Sequence, residues 1–240
     1  MDASMIMEMD MEVGANGETQ TMESVTTMEL STFSEPVRLK MDMNVKASVA
    51  GQETTQQMSV YADTLEDGTH MMYLFDGASW ASQEVSVEDI AQYDTSTDMD
   101  VYLNGNYNFE QAGTEQVDGA NAYKYTGKIT GDEMKEVILS SGALDQLSSL
   151  GLSSADLDSM LDGIGELPIN LWIDEATLYP VKYEMDMTEV MNTLMTNMVA
   201  SMGEQAEGLT MSIPKMVISM TCKNFNAATD FEIPEEAKAN

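Results

Sequence analysis

Val37-Arg-Leu-Lys-Met-Asp-Met-Asn-Val-Lys-Ala-Ser-Val49 decides the fold. Apolar side chains stand at Val37, Leu39, Met41, Met43, Val45, Ala47 and Val49. Arg38, Lys40, Asp42, Asn44, Lys46 and Ser48 fill the positions between them. A period of two places these sets on opposite faces of one β-strand, one dry and one wet. Fully extended, the run reaches about 40 Å at roughly 3.3 Å per residue. Strands of that length accumulate twist, so the sheet is expected to curl towards a half-barrel.

The same period recurs outward in both directions. Met5, Met7, Met9, Met11 and Val13 share a face, while Glu8, Asp10 and Glu12 take the other. Weaker alternation covers Thr19–Leu30, Thr54–Ala62, Thr69–Phe75, Tyr107–Ala112, Ala122–Lys128, Leu167–Ile173, Leu178–Met187 and Lys215–Lys223. Between the runs lie Asn16-Gly17, Asp67-Gly68, Asp76-Gly77 and Asp118-Gly119, and the looser Ala50-Gly51. These pairs suit the positive φ angles of type I′ hairpin turns. Serial hairpins make an antiparallel meander, because parallel neighbours need long crossovers.

Helical signals are fewer. Ser86 caps a short helix over Val87–Gln92, and Thr130-x-x-Glu133 forms a capping box ahead of Val137, Ile138 and Leu139. Leu144, Leu147 and Leu150 mark another short piece, and Ser153 or Ser154 caps Ala155–Leu161. The clearest helix is Thr188–Met202, with a stripe of Met191, Leu194, Met195, Met198 and Met202. The expected fold class is α+β: a curved antiparallel β half-barrel, a meander, with helices packed on its concave face. No boundary divides the chain, so residues 1–240 read as a single domain. Residues 142–163 are the candidate for a mobile lid.

Composition excludes several partners. Against 42 Asp and Glu stand 10 Lys and Arg, a formal charge of −32. Such a surface repels nucleic acid, whose phosphates require clustered cations, and it repels anionic lipid headgroups. The longest strongly apolar run, Met71–Phe75, is far short of a membrane-spanning helix. Strand patterning begins within a few residues of Met1 with no leader, a start that suits a mature domain and equally a cytosolic protein.

The sequence holds no Gly-rich phosphate loop, no G-x-S-x-G elbow and no zinc-spaced His or Cys cluster. Cys222 and His70 are each the single residue of their type, and Cys222 reads as a small buried hydrophobe. Asp94, Asp98 and Asp100, and Asp156, Asp158 and Asp162, miss the calcium-loop pattern: Tyr102 and Met160 stand where an oxygen ligand is required. Glu8, Asp10 and Glu12 belong to a solvent face. Trp80 and Trp172 read as large aromatics packed at the sheet surface under a helix. The expectation is a binding or scaffolding protein, not an enzyme, with no cofactor and no metal.

Methionine stands out at 24 residues, and three readings stay open. Flexible, polarizable thioethers suit a concave face that accepts varied apolar ligands. Thioethers such as Met5, Met7, Met9 and Met11 suit Cu(I), a soft ion, although neighbours on one strand face stand about 7 Å apart and no His or Cys supports them. Methionine also fills ordinary cores in place of Leu and Ile. On the first reading the cavity-lining candidates are Met7, Met9, Met11, Leu39, Met41, Met43, Val45, Met58 and Val60, covered by Met191, Met195 and Met198 of the late helix.

Several phrases resemble a known family when taken in order. They are Phe75-Asp-Gly-Ala-Ser-Trp80, Val117-Asp-Gly-Ala-Asn-Ala-Tyr-Lys-Tyr125, Leu171-Trp-Ile-Asp174 followed by Tyr179-Pro-Val-Lys182, and Phe231-Glu-Ile-Pro-Glu-Glu-Ala237. Together they resemble the bacterial lipoprotein-carrier superfamily typified by LolA and LppX, and more nearly Gram-positive surface lipoproteins of that fold. The resemblance covers about Met5 to Ala237. It implies a half-barrel closed by helices around an apolar cavity, with a lipid or acyl chain as ligand. It also implies a monomer outside the cytoplasm, held at the outer face of the cell membrane only through an N-terminal lipid anchor that is removed here. The alternative is a cell-surface sensor or interaction module with a filled core and no small-molecule ligand.

Overall fold

The computed structural model describes residues 1–15, 17–91, 109–131, 133, 162–201, 206 and 208–239. The candidate lid at 142–161, the acidic positions Asp94, Asp98, Asp100, Asp156 and Asp158, and Met202 lie outside the described residues. Among the described residues eleven strands follow the chain: β1 Asp2–Ala15, β2 Glu18–Ser34, β3 Val37–Val49, β4 Gln52–Thr64, β5 His70–Phe75, β6 Trp80–Glu84, β7 Glu110–Val117, β8 Ala120–Ile129, β9 Leu167–Asp174, β10 Pro180–Asp186 and β11 Leu209–Lys223. Three described helices are α1 Val87–Ala91, α2 Thr188–Ser201 and α3 Glu235–Lys238.

All eleven strands join one antiparallel sheet in the order β6-β5-β4-β3-β2-β1-β11-β10-β9-β8-β7. Strand β1 is therefore central, and it brings the first and last strands of the chain together. Strand β3 occupies the span read from its alternation. The expected strand at Tyr107–Ala112 is instead β7, beginning at Glu110; residues 107 and 108 lie outside the described set. Its sequence, EQAGTEQV, has almost no apolar alternation because it forms an exposed sheet edge.

Turn chemistry departs from expectation. Ala50-Gly51 and Asp118-Gly119 do adopt positive φ at both central residues, 50° and 80°, and 49° and 85°. At Asp67-Gly68 and Asp76-Gly77 only the glycine is positive, at 88° and 96°. There the aspartate side chain builds the turn. The Asp76 carboxylate accepts from the N–H of Ala78 and Ser79 at 2.9 and 2.8 Å, and the Asp67 carboxylate from Thr69 N–H at 3.0 Å. Of Asn16-Gly17, Asn16 lies outside the described residues.

Two of the caps read from the sequence form, and the third, at Ser153 or Ser154, lies outside the described residues. Ser86 exchanges hydrogen bonds with Asp89 at the start of α1, and Thr130 with Glu133. Helix α2 starts where the Asp186 carboxylate accepts from Thr188 N–H at 3.0 Å. It is tied to β11 at a break in the β1–β11 register between Asp10 and Glu12. Asn192 completes the backbone there, receiving Ile213 N–H at 2.7 Å and donating to Ile213 C=O at 2.6 Å. Thr188 adds a bond from Met216 N–H at 2.9 Å. A bulge leaves backbone groups without a ladder partner, and one side-chain amide with a donor and an acceptor satisfies both.

The dry face carries the main core. Ala3, Leu30, Leu39, Met41, Val60, Met72, Leu171, Met220 and Cys222 are buried there, joined by Ile90 of α1 and Val190 of α2. On α2, Val190 is the buried residue and Leu194 packs beside it; Met191, Met195 and Met198 are half-buried. A second cluster lies on the wet face. Tyr61 and Tyr73 pack there against Phe231, Ile233 and Ala237 of the C-terminal segment, with Trp80 beside Tyr61. Arg38 fastens that segment. It pairs with Asp63 at 3.1 Å and Asp230 at 2.6 Å, donates to Phe231 C=O at 2.6 Å and lies 4.4 Å from the Phe231 ring centre.

Trp172 differs from the expected packing under a helix. It stands on the wet face between Lys124 and Lys182, 4.9 and 4.4 Å from its ring centre, and donates to Glu115 at 2.9 Å. Cation–π contact and a hydrogen bond hold it in place of helix packing.

Replacing Asn192 by Leu leaves both Ile213 backbone groups buried without partners. Denaturant unfolding should show a loss of about 2–6 kcal/mol, at roughly 1–3 kcal/mol per orphaned group. Burial pushes the Cys222 thiol up to about 11, and the side chain is fully enclosed. At pH 8 its reaction with a thiol reagent should therefore proceed only at the rate of opening, and added denaturant should accelerate it.

Candidate functional site

The site follows from strand register. Directly opposed residues share a face, so the pairings read across the sheet as rows. One row runs Met58–Met43–Met28–Met5–Met220–Tyr183–Leu171–Tyr125 from β4 to β8. Five methionines on five neighbouring strands thus stand directly opposite one another. The row nearer the start of β1 is Val60–Met41–Leu30–Ala3–Cys222. Beyond the methionine row comes Gln56–Val45–Thr26–Met7–Ile218–Met185–Ile169–Gly127, then Thr54–Ala47–Ser24–Met9–Met216. None of these four rows contains a carboxylate, ammonium or guanidinium.

Burial grades along the strands. Leu39, Met41 and Val60, three of the predicted lining residues, are enclosed in the core at 1, 9 and 4% exposure. Met43, Val45 and Met58 are half-buried, as are Met7, Met9 and Met11 on β1. The structure places these six on one sheet face, and Met191, Met195 and Met198 on the helix tied to β11. Sequence reasoning omitted Met22, opposite Met11, and Met216 and Ile218, opposite Met9 and Met7. Alternation in Lys215–Lys223 already put Met216, Ile218 and Met220 on one face. That β11 lies beside β1 is information held by tertiary structure alone.

The wet face has the opposite character. Lys215 meets Glu8 at 2.8 Å, and this bond raises the lysine pKa. Lys40 meets Asp42 at 3.1 Å. Glu115 is held below the usual carboxylate range by hydrogen bonds from Lys124 and then Trp172. A cavity of about 280 Å³ opens among Glu29, Asp42, Asn44, Gln57, Ser59 and Phe75, with Met43 and Met58 also at its wall. A second, of about 320 Å³, lies at the sheet end among Val117, Tyr179, Val181, Cys222 and Phe225.

The placement of Cys222 and His70 separates them. Cys222 is on β11 and His70 on β5, five strand positions apart in the sheet, or about 24 Å at roughly 4.8 Å per strand. His70 Nδ1 lies 3.0 Å from the Thr64 hydroxyl instead. The two cannot form a nucleophile–base pair.

Among solved structures, the chain is similar to the crystal structure of Mycobacterium tuberculosis lipoprotein LppX, at 13% identity and a TM-score of 0.37, covering 90% of this chain and 85% of that one. It is also similar to LprF from Mycobacterium bovis, at 16% identity and a TM-score of 0.39, covering 96% and 89%. A third is a DUF1329 family protein from Desulfovibrio piger, at 11% identity and a TM-score of 0.19, covering 92% and 84%. No curated protein sequence matches the chain. The model of a family of unknown function, DUF6612, matches residues 1–240, and the chain belongs to that family.

Proposed function

We propose that the dry sheet face, beyond its enclosed rows, binds an apolar ligand of the lipid or acyl-chain class. The observation that carries this reading is the segregation of charge. In a chain of formal charge −32, the half-buried face built by Met7, Met9, Met11, Met43, Val45 and Met58 has no ionised neighbour in its rows. A face that stays half-exposed and carries no charge suits apolar contact better than solvation. Methionine supports it further, since three rotatable bonds and a polarizable sulfur conform to varied chain shapes.

In this reading the sheet curves as a half-barrel with the dry face concave. Helix α2, with Met191, Met195 and Met198, stands beside the groove. The chain acts as one domain and as a monomer, outside the cytoplasm at the outer face of the cell membrane. It binds and does not catalyse. The second reading, an interaction module with a filled core, is favoured by the enclosure of Leu39, Met41 and Val60.

Mass spectrometry of gently purified protein should find co-purifying lipid, and a fluorescent fatty acid should bind. Met43→Glu puts a carboxylate on the dry face and should weaken that binding about tenfold or more, a cost of about 1.4 kcal/mol or above. Lys46→Glu, on the opposite face, should leave it unchanged. An apo mass spectrum together with no fatty-acid binding would select the filled-core module.

A further inference from the structure

Leucine would serve an apolar face as well as methionine does, so the choice of thioethers calls for its own account. Distance along one strand argued against soft-metal binding, because same-face neighbours are about 7 Å apart. Register removes that objection. Met9 on β1 stands directly opposite Met216 on β11. On the other side of β11 the β10 register ends at Asp186, opposite Val217, and Met187 is the next residue. Met187 donates its N–H to Met216 C=O at 2.8 Å. Three thioether side chains therefore lie abreast on three adjacent chain segments, with Cβ atoms about 4.5–5.5 Å apart across each pair. All three are half-buried. Met191 follows one helical turn after Met187, its N–H bonded to Met187 C=O at 2.9 Å, and is half-buried too.

We propose that Met9, Met187 and Met216, with Met191 at their side, form a binding site for a soft monovalent cation, Cu(I) or its analogue Ag(I). Thioether sulfur is a soft donor that selects such ions over Zn²⁺, Ca²⁺ and Mg²⁺. Three flexible side chains abreast reach one point between them, and half-burial leaves them open to an entering ion. The field of a chain of charge −32 draws cations towards the surface. Met9 is shared with the proposed apolar-ligand face, and retention of a soft ion reads the sulfur alone. Leucine at these positions keeps the face apolar and removes only the sulfur.

The test uses the full chain with Cys222→Ala, so that its thiol takes no part, and silver nitrate in chloride-free buffer. Native mass spectrometry after desalting should show one retained Ag(I). The triple variant Met9→Leu, Met187→Leu, Met216→Leu should lose that equivalent while keeping the circular dichroism spectrum and unfolding midpoint of its parent. A control with Met41→Leu and Met72→Leu, both in the enclosed core, should keep it. Retention of silver by the triple variant, or none by its parent, overturns the proposal. Should the triple variant fail to fold, NMR of the parent with 13C-methyl methionine decides. One equivalent of Ag(I) should shift the methyl signals of Met9, Met187 and Met216 together, and shifts confined to other methionines, or none, refute the site.

Discussion

Everything in this sheet depends on register, because a strand that slips by one residue turns every side chain to the opposite face. A slip of β1 would carry Glu8, Asp10 and Glu12 among the methionines and expose Met7, Met9 and Met11 to water. Each enclosed methionine contributes about 1.5–3 kcal/mol through burial, and an unpaired charge moved inside costs several times that. The register is therefore specified many times over, strand by strand, and β1 transmits it to both halves of the sheet through β2 and β11. The methionine row is a consequence of the same constraint.

Segregation also sets the tasks of the few cations. Lys215 is raised in pKa by Glu8, and Lys124 and Lys182 enclose Trp172. Exposed ion pairs each contribute only about 0–1 kcal/mol, so these lysines chiefly relieve repulsion among carboxylates. Arg38 does more, because its guanidinium is largely enclosed and joins three partners at once: Asp63, Asp230 and the Phe231 carbonyl. It binds the C-terminal segment to the wet face and so covers Tyr61 and Tyr73. At the other end of that segment's contacts, Asp2 faces opposing effects. Burial pushes its carboxyl up, but hydrogen bonds from Thr229 and Asn224 outweigh this and leave its pKa lowered. Its contribution to stability is therefore present above the unfolded carboxylate pKa and is lost as pH falls through the folded one.

Local pattern made the strands legible. Val37–Val49 and Thr188 as a helix start were readable because alternation and capping are properties of neighbours in sequence. Turn type was less so: Asp67 and Asp76 satisfy their turns with carboxylate hydrogen bonds instead of a second positive φ. The docking of Asn192 into the β11 bulge was not legible, since neither the bulge nor its partner has a local signature. The candidate site was half readable. Alternation gave the membership of the dry face for Met7, Met43 and Met58, but not the degree of enclosure that separates Met41 from Met43. Nor did it give lateral order, on which the pairing of Met9 with Met216 depends.

That separation bears on why methionine recurs at positions of such different enclosure. At the middle of the sheet Met28 and Met220 are enclosed and act as leucine would, filling space between strands, while Met5, Met43 and Met58 of the same row keep some exposure. Two rows further along, Met9 and Met216 retain exposure, and there the side chain's freedom is not spent on packing. One residue type thus serves both ends of the same strands without breaking their alternation. A rigid branched residue at the outer rows would hold a fixed apolar surface, whereas an unbranched thioether leaves a surface that reshapes around what it meets. The gradient in enclosure, more than the number of methionines, is what distinguishes this face from an ordinary core.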